Sequence, residues 1–324
     1  MQQYILVPLD GSTFSEAILP HAVAVAHATE SALILLQVLE PEYEPIFGAP
    51  GIPEMVEEEQ LERMRDAQLA SIHSYLENIA RELQVEGLEI QTKVVEANDP
   101  AAQIVWHAEY DTLLLMIAMT THGRRGVLHW LFGSVAAEVV QVTPRPLLLL
   151  RPQESDRLFS LPDFNTTSYQ NIVVPLDASA FAEQALDQAS ELASAMDATF
   201  HLVSIVPLSH VLPVHIHKEN ESQSLMRAVL HQTELERRTH YLEQKAEHFK
   251  ELGLRVQTNV TPGHPTEEIL RFSTQHQQTL LAMTTHGSSG LRRILLGSVA
   301  MKVVQEVSVP LLLVRGRHTL EQEY

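Results

Sequence analysis

The chain has 324 residues, 45% of them hydrophobic, with 41 acidic against 22 basic side chains and a formal charge of −19 at pH 7. That length is about twice the ~150-residue prior for one domain, so two domains are expected, each able to bury a core. The acidic balance repels phosphate backbones and anionic headgroups and so excludes nucleic acid and membrane as expected partners, while zero cysteines exclude disulfides and thiolate metal sites.

In chain order, an apolar strand is predicted from Tyr4 to Leu9, then a turn in which Ser12 or Thr13 caps a helix running through Ala17, Val23 and Ala26. A second strand covers Leu33 to Leu39. A Pro- and Gly-containing loop from Pro41 to Pro53 leads into a long helix whose apolar positions Leu61, Met64, Ile72, Leu76, Ile79 and Leu83 recur at helical spacing. The triplet from Glu57 reads as an acidic first turn. A strand near Leu88 to Val95, a short helix after Pro100 and an apolar strand from Thr112 to Met119 follow. That run is too short to span a bilayer, and no basic run followed by an apolar stretch opens the chain, so a cytoplasmic protein is expected.

The series then repeats. YILVPLDGS from Tyr4 matches NIVVPLDAS from Asn171, MTTHGRRG from Met119 matches MTTHGSSG from Met283, and TPRPLLLLR from Thr143 matches VSVPLLLVR from Val307. Asp10 and Asp177 are 167 residues apart, Gly123 and Gly287 164 apart. One order recurring over a whole domain describes two copies of a fold. The expected domains are 1–151 and 169–316, joined by a polar linker over 152–168 and followed by a tail over 317–324. Continuous apolar strands alternating with amphipathic helices indicate two tandem doubly wound α/β domains, each a five-stranded parallel sheet with helices on both faces, and the order expected for it is 3-2-1-4-5.

In such a sheet, ligands occupy the crevice beyond the carboxyl ends of the strands where strand order reverses. Asp10 ends strand one there, and Thr120 to Gly126 follows strand four. Gly123 and Gly126 permit close backbone approach, and Gly133-Ser134 opens a helix whose N–H groups and dipole favour an anion. The bland reading is a tight turn with an ordinary serine cap.

These residues resemble the universal stress protein family, in the ATP-binding branch marked by G-x2-G-x9-G-(S/T). Thr120, Gly123, Gly133 and Ser134 occupy those places in the first half, and Thr284, Gly287, Gly297 and Ser298 in the second, with threonine for the first glycine both times. The resemblance implies ATP as ligand, with magnesium carried on its phosphates. It implies that Asp10 with Val38, and Asp177 with Ile205, hold the nucleoside, that Pro8 and Pro175 shape the same wall, and that Met119 and Met283 precede the loop. It places phosphates at Gly123, Gly133, Ser134 and Val135, and at Gly287, Gly297, Ser298 and Val299. It also implies pairing of edge strands in single-domain members. Here Pro146 to Leu150 and Pro310 to Val314 are expected to pair antiparallel as an intramolecular pseudo-dimer, across a linker whose reach is roughly 20–25 Å.

Other readings stay open. Asp10 and Asp177 serve equally as strand-end turn residues, and His122 and His286 either contact phosphate or are satisfied within the loop. Arg124, Arg125, Arg292 and Arg293 either meet a phosphate or are solvated. His210, His215 and His217 lie close in sequence, but no carboxylate or cysteine completes a metal set. With no Walker A lysine motif, nucleophile elbow or paired carboxylates, the expected function is an adenine-nucleotide-binding sensor or regulator of stress response. The alternatives are a nucleotide-free dimerisation scaffold and a slow magnesium-dependent ATPase.

Overall fold

The structure is a computed structural model, described for residues 2–41, 58–83, 87–122, 132–152, 168–207, 221–285 and 296–316. The chain divides into two compact units, one of Met1–Arg145 with Pro152–Thr166, the other of Pro146–Arg151 with Thr167–Tyr324.

In the first unit, β1 (Tyr4–Pro8), β2 (Ala32–Leu39), β3 (Ile90–Glu96) and β4 (Leu114–Thr120) lie in the order β3-β2-β1-β4, and the pairings β1–β2, β2–β3 and β1–β4 are all parallel. Ile5, Leu6 and Val7 have no exposed surface, as a central parallel strand covered on both faces requires. The helices are α1 (Thr13–Glu16), α2 (Leu19–Ala28), α3 (Glu58–Glu82), α4 (Pro100–Tyr110) and α5 (Ser134–Val142). Steps from β1 to β2 to β3 run one way and the step from β3 to β4 runs back. Right-handed crossovers therefore put α2 and α3 on one face and α4 on the other, where α4 packs with α5.

The second unit holds β5 (Leu147–Leu150), β6 (Asn171–Pro175), β7 (Thr199–Pro207), β8 (Arg255–Gly263), β9 (Thr279–Thr284) and β10 (Leu311–Val314), in the order β5-β10-β9-β6-β7-β8. Its helices are α6 (Ala180–Glu183), α7 (Leu186–Ala195), α8 (Glu221–Glu251), α9 (Pro265–Gln275) and α10 (Ser298–Glu306). The second repeat thus shows the full 3-2-1-4-5 order, every pairing within it parallel. β5, the last strand of the first repeat, joins this unit and runs antiparallel to β10, with Leu311 opposite Leu149 and Leu313 opposite Leu147. The antiparallel edge pairing expected from the sequence is present within the one chain.

Two local expectations are corrected. The helix expected to run unbroken from Ser12 is split into α1 and α2, and its counterpart into α6 and α7. Pro20 lacks the N–H that would bond Glu16, yet Asp187 holds the equivalent place and the break persists. In the second repeat the break is a tight i to i+3 turn, with Gln184 N–H to the Phe181 carbonyl at 3.1 Å and Ala185 N–H to the Ala182 carbonyl at 3.3 Å. Strand four begins at Leu114 and not Thr112, because Asp111 Oδ1 accepts from Leu113 N–H at 3.0 Å and turns the chain first. Among the described residues no helix is long and apolar enough to cross a membrane.

Candidate functional site

β1 lies between β2 and β4, so strand order reverses at the β1–β4 seam, and β6 with β9 repeats this in the second unit. At the carboxyl end of β1, Asp10 Oδ1 accepts from Ser12 N–H at 3.0 Å and from Ser12 Oγ at 2.5 Å. Asp177 Oδ1 accepts from Ser179 N–H and Oγ at the same two distances. Each serine then caps the next helix, Ser12 Oγ accepting from Ser15 N–H at 3.2 Å and Ser179 Oγ from Ala182 N–H at 3.1 Å. The turn reading of the aspartates holds, with both carboxylates half-buried at the strand ends.

Register places the residues beside the two aspartates. Pro8 is opposite Leu36, and Pro175 opposite Val203. Two residues further along each strand, Val38 comes level with Asp10 and Ile205 with Asp177. Val38 is half-buried, and Ile205 is buried. Pro8 and Pro175 close their strands half-buried, while Met119 and Met283 are buried within β4 and β9.

Beyond β4 the chain is described as far as His122. Thr120, at the place of the motif's first glycine, is buried and donates to the His122 carbonyl at 2.7 Å. Its side chain is thereby spent on folding the loop. His122 is buried too, its Nδ1 3.0 Å from Thr121 Oγ1, so a hydroxyl, not only backbone, serves the ring. Gly123, Arg124, Arg125 and Gly126, with His286, Gly287, Arg292 and Arg293, lie outside the described residues, as do His210, His215 and His217. No group of three potential metal-ligating side chains occurs among the described residues.

The chain returns at the helix starts. Gly133 N–H donates to the Thr121 carbonyl at 2.8 Å and Gly297 N–H to the Thr285 carbonyl at 2.9 Å, so both ends of each loop are tied at the strand end. Gly133 and Gly297 are the helix N-caps, which makes Ser134 and Ser298 the first helical residues and not the caps. Among the described residues no side chain caps α5 or α10, in contrast to α4, where Asp99 Oδ1 accepts from Ala102 N–H at 3.0 Å. Ser134 and Ser298 are exposed, and Val135 and Val299 half-buried. The first-turn N–H groups of a helix lack intrahelical acceptors, so each start offers donors, a hydroxyl and the positive end of the dipole at the crevice.

The sequence reading passed over the layer behind this mouth. Tyr75 donates to Glu16 Oε1 at 2.8 Å, and Tyr241 to Glu183 Oε1 at 2.8 Å. Burial is the leading cause raising the Glu16 carboxyl and the Tyr241 phenol above their usual ranges. The signal was available as Tyr-Leu-Glu recurring from Tyr75 and Tyr241, 166 residues apart.

The universal stress protein family model matches residues 1–151 and 168–315. Universal stress protein MJ0531 of Methanocaldococcus jannaschii is 30% identical over 147 residues, 45% of this chain and 82% of that protein. Universal stress protein YxiE of Bacillus subtilis is 27% identical over 152 residues, 45% of this chain and 99% of that protein. A crystal structure of a universal stress protein from Archaeoglobus fulgidus shares the fold at a TM-score of 0.66 and 16% identity, over 96% of this chain and 98% of that one. With a crevice of one design at the carboxyl ends of both sheets and the family model matched twice, the chain belongs to the universal stress protein family, as a tandem member with two such domains.

Proposed function

We propose that this protein binds an adenine nucleotide, ATP in the first instance, in the crevice of each repeat, and acts as a sensor or regulator in stress response. The observation that carries the reading is the twofold occurrence of a helix start without a side-chain cap, Gly133-Ser134-Val135 and Gly297-Ser298-Val299, tied to the end of the strand beside an aspartate. The donor set fits a polyphosphate, and the Asp10–Val38 and Asp177–Ile205 ends offer one carboxylate beside an apolar side chain, which fits a ribose and a base. Magnesium would arrive on the phosphates. Binding accounts for the chemistry of the described residues at the crevice.

Heat release of the purified protein followed by chromatography is expected to yield adenine nucleotide. Calorimetry with ATP is expected to show a loss with Asp10→Ala plus Asp177→Ala, while inorganic phosphate binding changes little, since the carboxylates serve the nucleoside end. Equal losses for both ligands would contradict the assignment.

A further inference from the structure

The two aspartate turns share their hydrogen bonds but not their backing. Gly11 takes φ 78°, whereas Ala178 in the same place takes φ 62°. There a Cβ crowds the neighbouring carbonyl, and such a conformation persists only where the surroundings hold it. Those surroundings come from α8. Arg238, 6% exposed, donates through Nη1 to Ser204 Oγ at 3.3 Å. Ser204, with no exposed surface, donates in turn to the Leu176 carbonyl at 2.8 Å, one residue before Asp177. Glu234 Oε1 holds the guanidinium through Nε at 2.9 Å. Further along α8, Tyr241 Oη and Lys245 Nζ each donate to Glu183 at 2.8 Å, and Glu183 ends α6, the helix that the Asp177 turn starts. α8 therefore grips the turn from both sides.

α3 does not. Ile72 and Ile79 stand 166 residues before Arg238 and Lys245, and Gln37 stands 167 before Ser204. Among the described residues Gln37 Oε1 is buried without a hydrogen-bond partner, and the Tyr75 to Glu16 bond is the counterpart of the Tyr241 to Glu183 bond.

We infer that Arg238 is a positioning residue of the second crevice: through Ser204 and the Leu176 carbonyl it holds the Asp177 turn in place, so the second site is preorganised and binds nucleotide more tightly than the first. A turn already held spends less of its binding energy on ordering. The affinity part rests on the nucleotide reading proposed above, whereas the clamp stands on its own.

Hydrogen exchange on the full chain tests the clamp without ligand. The Ser179 amide, donor to Asp177, is expected to exchange about tenfold more slowly than the Ser12 amide, donor to Asp10. Arg238→Met keeps the buried stem and leaves Glu234 paired with Arg237, which bonds both its carboxylate oxygens at 2.8 and 2.7 Å. It is expected to speed Ser179 exchange about fivefold, the worth of one hydrogen bond. Ser204→Ala should do the same, and the double variant no more than either, because the two act along one chain. Ser12 should not respond. In an Asp10→Ala background, which leaves the second site, Arg238→Met is expected to weaken ATP about fivefold; in Asp177→Ala it should change nothing. Unchanged Ser179 exchange in a natively folded Arg238→Met or Ser204→Ala chain overturns the inference, and Ser204→Ala decides it alone if the arginine variant fails to fold. Absence of ATP binding to the unmutated chain overturns the affinity part together with the nucleotide reading, and the exchange arms still decide the clamp.

Discussion

Among the described residues the two crevices share their aspartate turns and helix starts, while the layers behind them have diverged. Asp10 and Asp177 each accept two bonds from the serine two residues on, at matching distances, and α5 and α10 start on the same Gly-Ser-Val. Behind them the first repeat is packed with Gln37, Ile72 and Ile79, and the second with Ser204, Arg238 and Lys245. The amino ends of the sheets differ as well. Tyr4 Oη donates to Asp111 Oδ2 at 2.8 Å in the first repeat. In the second, buried His201 lies 2.9 Å from Asn171 Oδ1 and stacks on His276 at 4.8 Å between ring centroids. A duplicated fold thus holds its backbone and crevice rim constant while the polarity of its second layer drifts, because many interior combinations fill one volume but few rims present the same donors.

The largest effect is expected at the strand that separates repeat from unit. β5 ends the first repeat in sequence yet pairs with β10 in the second unit, and Leu148 is fully buried. Leu148→Ala should cost about 2–5 kcal/mol, with exchange of β10 amides accelerated more than that of β1. The reverse pattern would show that β5 belongs energetically to the first unit.

Acid should divide the repeats next. Burial, and then His276, push His201 down to about 4 from its usual 6.5. Between those values the unfolded chain binds a proton that the folded one refuses, so His201's contribution is whole above pH 6.5 and fades as pH falls toward 4. Urea midpoints at pH 7 and pH 4.5 should therefore differ more for the second unit. His201→Ile, the residue type at Ile34 in the first repeat, should flatten that difference. An unaltered slope would remove the histidine from the account.

Smaller effects separate the two turns and their backing. Gly11→Ala should destabilise the first unit by about 1 kcal/mol, and Ala178→Gly should stabilise the second by roughly 0.5 kcal/mol, the relieved strain being offset by glycine's backbone entropy. Gln37→Leu, removing an acceptor with no partner, should stabilise by about 1 kcal/mol. Smallest of all, Trp106→Arg installs the residue found at Arg271 in the second repeat. Trp106 is 53% exposed, and a shift within about 0.5 kcal/mol is expected in thermal melts.

Most of the fold could be read before any coordinate was seen. The long helix from Glu58 showed in its spacing from Leu61 to Leu83, and the doubly wound class followed from continuous apolar runs alternating with amphipathic helices. At the crevice, the aspartate and the glycine-serine helix starts were visible as repeats, while Val38 and Ile205 entered only through the family resemblance and came level with the aspartates in the strand register. The serine that closes each aspartate turn was read only as a possible cap, since residue type does not reveal that one hydroxyl both donates backward and accepts forward. The inward use of Thr120 was equally hidden, because its partner is a carbonyl whose direction depends on the loop path.

Duplication, fold class and the location of the crevice are settled by residue order, since periodicity and repeated spacing act locally and need no knowledge of what packs against what. Packing alone decided two other things: that helix one breaks in both repeats whatever stands at position 20 or 187, and that α8 grips the Asp177 turn. Arg238 and Ser204 are 34 residues apart and Tyr241 and Glu183 58 apart. Such pairs meet only after a crossover has laid the helix on the sheet, and whether a buried guanidinium finds its acceptors is then a matter of ångströms that no local pattern records.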